Sequence, residues 1–341
     1  VPSSTSSFRW MVLKAPYGRL WIGTVVLAVA ALALLEAMWR WAGYMPAVAD
    51  TMDLWAYHRK RIEGADSRTV VFLGRSRIQE GLVHDEFLRG ASEHEIINLC
   101  IRGLHPMAVL RDIAVNTDFG GVVVCSVTAE GLLPEQWDHA APWVEFYHRE
   151  YGPARHWEQS LALLVEPRLC ILTPMLALQN IGPDLLRGEW PRQLFRTLPS
   201  REQVARYRDY PLEELRASQL RFIARMMNHF EETEGYGDWP AGIEAIDAWV
   251  RRIEDRGGRV VFYRAVTSGE YHGVEVETFP REQFWDVFAE NISAPAVHFQ
   301  DVPELAAMET AEGSHLYRDD AVIFSRVIAR ELKALGVLPL R

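Results

Sequence analysis

The sequence predicts an α/β fold: a parallel sheet of five strands covered on both faces, broken by one long helical insertion and preceded by a transmembrane helix. Three observations carry this prediction. Short apolar runs recur from Thr69 onward, helical segments separate them, and an uncharged stretch of sixteen residues stands near the start. Composition agrees, since 49% hydrophobic and 24% charged residues are ordinary for a globular chain of 341 residues. The formal charge of −10 excludes a protein built to grip nucleic acid, which needs a basic face. Cys100, Cys125 and Cys170 are widely spaced, which excludes a disulfide scaffold or a cysteine-rich zinc module and leaves room for one disulfide.

The uncharged stretch runs from Leu20 to Leu35, with Thr24 its one polar side chain. Extended through Trp39 it supplies about 20 helical residues, enough for the ~30 Å hydrocarbon core of a bilayer. Trp21, Trp39, Trp41 and Tyr44 bracket it in the manner of an interfacial aromatic belt. Arg9, Lys14 and Arg19 precede the run and only Arg40 follows closely. The positive-inside bias therefore predicts a cytoplasmic tail at 1–19, a single pass of the cytoplasmic (inner) membrane at 20–41, and a main body that is periplasmic or extracellular. Arg59, Lys60 and Arg61 further on pull the other way. A cleaved signal peptide fits less well, because Glu36, Met38, Trp39 and Arg40 stand where small residues belong. A core helix is rarely apolar around its whole circumference.

Residues 42–68 are mixed in character and are expected to be a stalk between bilayer and domain, helical in part over Pro46–Arg68. The predicted strands follow at Thr69–Leu73, Glu95–Leu99, Val122–Ser126, Arg259–Tyr263 and Val297–Asp301. Helices are predicted at Pro106–Val115, Ile243–Arg256 and Asp319–Leu335, with Gly257-Gly258 and Gly336 as stop signals. Alternation of short buried strands with helices calls for parallel pairing. Between the third and fourth strands lies an insertion, about Glu130 to Tyr236, with no convincing strand. Helical periodicity covers Glu202–Glu231, where Leu215, Leu220, Ile223, Met226, Met227 and Phe230 share one side. Leu161–Leu178 is apolar, but Pro167, Pro174, Glu166 and Arg168 exclude a second span and predict a buried or membrane-lying helix pair. Trp137, Trp143, Phe146, Tyr147, Tyr151 and Trp157 form a core for the insertion, a platform for a sugar, or a partner-binding surface.

Chemistry in a doubly wound sheet collects at the carboxyl ends of the strands, near the point where strand order reverses. The first such end reads Phe72-Leu-Gly-Arg-Ser-Arg-Ile78. Gly74 allows a sharp turn and Ser76 then enters a helix, either as a plain N-cap or as a nucleophile beside backbone N–H groups that hold an oxyanion. Near the other end comes Glu312-Gly-Ser-His-Leu316, in a loop before the last helix. There His315 is placed to take a proton from Ser76 while Glu312 orients its ring. Arg77 either clamps an anionic group or pairs with Glu80. Asn98 either touches substrate or ties down a turn. His105 and His298 read as structural. No H-E-x-x-H pattern, metal-ligand spacing or P-loop occurs, so neither metal nor nucleotide cofactor is expected.

With these residues in place, the chain resembles the SGNH, or GDSL-like, hydrolase superfamily over about Thr69–Gly336, the insertion excepted. Gly74-Arg75-Ser76-Arg77 stands where the family has Gly-Asp-Ser, or Gly-Ser-Ser-Arg in membrane-anchored envelope relatives. Asn98-Leu-Cys-Ile-Arg-Gly103 looks like the block that supplies a glycine N–H to the oxyanion hole, and Glu312-Gly-Ser-His315 looks like Asp-x-x-His. Phe279–Trp285 and Asp301–Leu305 look like connecting segments of the anchored relatives. The resemblance implies a flavodoxin-like three-layer sandwich and an esterase or O-acyltransferase acting on acyl esters of an envelope saccharide. It implies Ser76 as nucleophile, His315 as base, Glu312 as orienting acid, and Gly103 in the oxyanion hole. Three positions depart from the pattern: Cys125–Glu130 lacks the asparagine of the third block, Arg75 replaces a small or acidic residue, and Glu312 is one methylene longer than aspartate. Two functions from different classes thus stand side by side. One is an anchored serine esterase or acyltransferase; the other is a catalytically silent accessory subunit that stabilises a membrane protein complex.

Overall fold

All five strands predicted after Thr69 pair into one parallel sheet in the computed structural model, which describes residues 17–188, 190–229 and 238–338. The strands in chain order are β1 Thr69–Leu73, β2 Glu95–Asn98, β3 Val122–Ser126, β4 Phe195–Thr197, β5 Gln203–Ala205, β6 Arg259–Arg264 and β7 Ala296–His298. The large sheet runs β2-β1-β3-β6-β7, and β4 pairs antiparallel with β5. The helices are α1 Tyr17–Trp41, α2 Met52–Arg61, α3 Ser76–Gly81, α4 His84–Gly90, α5 Met107–Asn116, α6 Ala141–Arg149 and α7 Pro153–Val165. They continue with α8 Leu178–Leu186, α9 Leu212–His229, α10 Ala241–Glu254, α11 Gly269–Thr278, α12 Trp285–Asn291, α13 Pro303–Ala306 and α14 Arg318–Ala334.

Strand alternation splits the core in two. Val71, Leu73, Val123, Cys125, Val260 and Phe262 join residues of α2, α5, α10 and α12. Val70, Phe72, Val122, Val124, Val261 and Tyr263 join residues of α3, α4 and α14. A side chain fully removed from water contributes about 1.5–3 kcal/mol, so strands buried on both faces require continuous apolar runs, which is why their sequences show no polar alternation. The fifth strand ends earlier than predicted, because Phe299–Asp301 is a 3₁₀ turn in which His298 Nδ1 accepts the N–H of Gln300 at 3.2 Å.

α1 is 25 residues of one helix, long and apolar enough to cross a membrane, and its apolar side chains are largely exposed. Arg9 and Lys14 of its preceding flank lie outside the described residues.

The predicted stalk is corrected. Residues 52–61 form α2, whose Leu54, Trp55 and Ala56 are completely buried. Trp55 Nε1 donates to the carbonyl of Leu99 at 3.1 Å, and Arg59 Nε meets Asp112 Oδ2 at 2.6 Å. Arg59 therefore belongs to a buried ion pair and not to a basic flank of the bilayer. The intervening stretch is also docked: Met45 exchanges two hydrogen bonds with the Gln193 side chain, and Val48 N donates to Thr197 O.

The insertion is corrected as well, since it holds the β4–β5 hairpin. Two three-residue strands carry too little pattern to be read alone; docking against residues 45–50 stabilises them. Arg201 at the hairpin tip has φ +64° and a buried side chain bonded to Asp50 and to the carbonyl of Asn98. The predicted helix over Glu202–Glu231 begins later, at Leu212; Phe230, Glu231 and Tyr236 lie outside the described residues. Ile223 and Met227 bury against the main core, with Leu220 and Met226 packed beside them. Five of the six aromatics at the start of the insertion are core residues or pack on the core, and Trp157 alone is largely exposed. After α7 the prolines break Glu166–Leu176 into three 3₁₀ turns. These turns dock on the end of α1 in a cluster of Trp39, Tyr44, Cys170, Leu176 and Ile181.

Candidate active site

The sheet order reverses at β1, which lies between β2 and β3, so the crevice at its carboxyl end is where a ligand is expected. Gly74 makes the turn there with φ +152°, and a Cβ on it would meet Ile78 Cγ2 at 2.6 Å and Ser126 Cβ at 2.9 Å. Only glycine fits both the torsion and the space. Ser76 follows as the first residue of α3, half-buried at the edge of a cavity of about 290 Å³.

The second contribution comes from the loop before α14. Ala311 N donates to His315 O at 2.7 Å, and a bridge between Thr310 and Leu316 closes the loop into a tight hairpin. Gly313 turns it at φ +107° and packs flat on Tyr271, where a Cβ would come within 2.5 Å of the Tyr271 Cβ. The hairpin thereby brings Glu312 and His315 to one side. His315 Nε2 stands 2.8 Å from Ser76 Oγ, and His315 Nδ1 makes a short hydrogen bond to Glu312 Oε1. Ser314 Oγ donates to the same Glu312 oxygen at 2.6 Å. Burial alone would raise the Glu312 pKa, but the hydrogen bond and charge of His315, with the Ser314 hydroxyl, hold it below the ordinary carboxylate value. An ionised Glu312 accepting from Nδ1–H leaves the Nε2 lone pair facing the serine hydroxyl. That is the tautomer a general base requires.

The remaining predicted site residues separate. Gly103 borders the same cavity. Asn98 does not: its Oδ1 accepts the N–H of Cys100 at 3.0 Å and its Nδ2 reaches Arg201 O at 3.4 Å, so it ties down a turn. Arg77 touches the cavity, but its Nη2 donates to Tyr271 Oη and to Glu275 Oε1, both at 2.8 Å. Its predicted pairing with Glu80 is corrected: Arg77 pairs with Glu275, which also gathers Arg264, while Glu80 is taken by Arg102 and Tyr207. Arg77 Nη2 is thus engaged, while its buried Nη1 has no hydrogen-bond partner among the described residues. His105 and His298 are buried, and desolvation holds both below the ordinary histidine value. None of the six insertion aromatics lines the cavity beside Ser76.

Several residues at the site escaped the sequence reading. Glu80 lies one turn after Ser76 on α3, with Oε1 3.5 Å from His315 Nε2. Arg102 Nη2 donates to that oxygen at 2.6 Å, and Tyr207 Oη donates to Glu80 Oε2 at 2.7 Å. The Tyr207 ring lies nearly parallel to the imidazole, centroids 6.1 Å apart, and burial together with the Glu80 charge keeps its hydroxyl protonated. Arg75, already singled out in the sequence beside the serine, pairs through Nη1 with Glu130 at 2.7 Å, a partner the sequence did not show. Ser218, Gln219 and Phe222 of α9 line the cavity from the insertion. The i,i+4 spacing from Ser76 to Glu80 was the one local signal available; Tyr207 and α9 reach the site only through tertiary packing.

Comparison of the chain with protein-family models, with curated proteins and with solved structures finds no match. The site's chemistry therefore rests on its own geometry.

Proposed function

We propose that the protein is a membrane-anchored serine esterase or O-acyltransferase of the SGNH type. The observation that carries this reading is His315, whose two ring nitrogens join Ser76 on one side and a buried carboxylate on the other. The strand order β2-β1-β3-β6-β7 supports a flavodoxin-like three-layer sandwich, which is the layering the resemblance implies.

In this reading Ser76 Oγ attacks an ester carbonyl as its proton passes to His315 Nε2. The imidazolium is held by Glu312, and the tetrahedral oxyanion is received by the N–H groups of Ser76 and Gly103. Collapse expels the alcohol, which takes the proton from His315, and leaves an acyl-serine. Water or an acceptor hydroxyl then gives its proton to His315, attacks the acyl carbon, and releases the serine. α1 anchors the body, and the basic flank before it puts the site outside the cytoplasm. An acyl ester of an envelope saccharide is the substrate class the resemblance suggests.

One observation favours the second reading, a silent fold serving as accessory subunit of a membrane complex. Arg75 and Arg102, which line the cavity, are each held in an ion pair, with Glu130 and Glu80. Fluorophosphonate labelling of the full chain in detergent or nanodiscs decides between them. The enzyme reading expects covalent labelling that vanishes in Ser76→Ala. Labelling that is absent, or that persists in Ser76→Ala, removes it.

A further inference from the structure

α7 shows an apolar face that nothing among the described residues covers. Trp157, Leu161, Leu164 and Val165 are 70, 61, 58 and 47% exposed. Their spacing of i, i+4, i+7 and i+8 puts them on one side of the helix, with Glu158 at the rim. The other side is fixed to α2, where Arg155 pairs with Asp53 and His156 stacks on Tyr57 at 5.2 Å. Rotation of α7 to hide the face is therefore blocked.

The chain that leaves α7 then docks on α1. Both carboxylate oxygens of Glu36 accept backbone N–H groups, from Cys170 and Ile171 at 3.0 Å, and Arg40 Nη2 donates to Arg168 O at 2.7 Å. Glu36 precedes the last residue of α1 by five positions, roughly 7.5 Å of helix rise. Residues 168–172 therefore sit at a level inside the candidate spanning helix and not beyond its end. Leu172, next to Ile171, is exposed, as are Trp41 at the end of α1 and Trp190, which packs on Trp39.

From this placement we infer that α7 and the turns after it lie in the headgroup–acyl boundary of the bilayer beside α1, as a second, in-plane membrane contact. The chemistry fits that occupant. A tryptophan with leucines and valine on one face, charged groups held on the other, and a flanking exposed arginine are the composition of an interfacial helix. The inference rests on α1 spanning the membrane and is independent of whether Ser76 is catalytic.

The test uses the full chain in lipid nanodiscs at one copy per disc. Spin labels are placed one at a time at Leu161→Cys and Leu164→Cys, with Leu27→Cys in α1 and exposed Ile323→Cys on α14 as references; the three native cysteines are buried. Collision with oxygen relative to a water-soluble nickel complex is expected to rise severalfold at 161 and 164 over position 323, toward the value at 27. If 161 and 164 match 323 while 27 reads as lipid, the contact does not exist and α1 still spans. Shielding of 161 and 164 from both reagents means a protein covers the face, which also overturns the inference. A water-like reading at 27 removes the spanning helix and the inference with it.

Discussion

Glu312→Gln tests the relay at its buried end. The side chain keeps its length and its acceptor oxygen, so the change removes a charge with little change of shape. In the proposed acyl transfer the imidazolium meets an ionised carboxylate across a short hydrogen bond, and both Glu312 and His315 are buried. At an effective dielectric near 20, unit charges about 3.5 Å apart attract by roughly 5 kcal/mol. A neutral amide retains part of this as a hydrogen bond. Glu80 supplies a second carboxylate 3.5 Å from Nε2, partly neutralised by Arg102. The net loss is then about 3–4 kcal/mol, or a slowing of about 10²–10³ in the second-order rate of fluorophosphonate labelling. This is less than the ~10⁴ of a triad whose histidine has one carboxylate partner. Labelling rate and melting temperature are measured on the same nanodisc preparation. A variant that melts like the wild type and labels at the wild-type rate would refute the relay, because no charge at Glu312 would then be assisting His315.

Further outcomes follow from the same contacts. Asp112→Ala leaves the buried guanidinium of Arg59 without its carboxylate and also frees His148 and Asn116. It should cost about 3–5 kcal/mol and lower the melting temperature by roughly 10 °C, where a shift under about 3 °C would contradict the ion pair's role. Gly313→Ala forces a Cβ into Tyr271 at an unfavourable torsion, so the Glu312–His315 loop should shift and labelling fall at least about tenfold; wild-type labelling would show the loop to be pliable. For pH, burial and the nearby charges of Arg201 and Arg61 hold His58 down to about 3, and burial with Arg264 and Arg281 holds His298 to about 3. Both are neutral in the fold and take up protons on unfolding. Their stabilising contribution is therefore complete above the unfolded value of 6.5 and is lost as pH falls from there toward 3, by about 2 kcal/mol each at pH 5. Denaturant midpoints that stay level between pH 7 and 5 would contradict this.

Much of the fold was legible because its strands are buried on both faces and so announce themselves as unbroken apolar runs ending in glycine or a polar residue. Ser76 and His315 were legible for a related reason: each sits where a local signal marks a turn beside a regular element, Gly74 before α3 and Glu312–His315 before α14. The longer acid is absorbed by the hairpin, which still brings His315 within hydrogen-bonding reach of Ser76. What failed to show depended on distant partners. Arg59 reads as a solvated or membrane-flanking charge until Asp112, on α5, takes it. Asn98 carries the right chemistry for a ligand, yet the fold ties its oxygen to Cys100, and Arg77 Nη2 is held by Tyr271 and Glu275. Tyr207 reaches the imidazole from a hairpin whose strands are too short to have a pattern of their own.

The run of hydrogen bonds from Met45 to Asp50 has a mechanical meaning. A globular head joined to a bilayer by a flexible tether sweeps a volume set by the tether's length and reaches targets at many heights. Here Gln193, Thr197 and Arg201 clamp Met45, Val48 and Asp50 to the body. If α1 spans a bilayer, the leash is reeled in and the cavity beside Ser76 stands at one fixed altitude, so whatever it meets must arrive by drifting along the surface or diffusing in from the side.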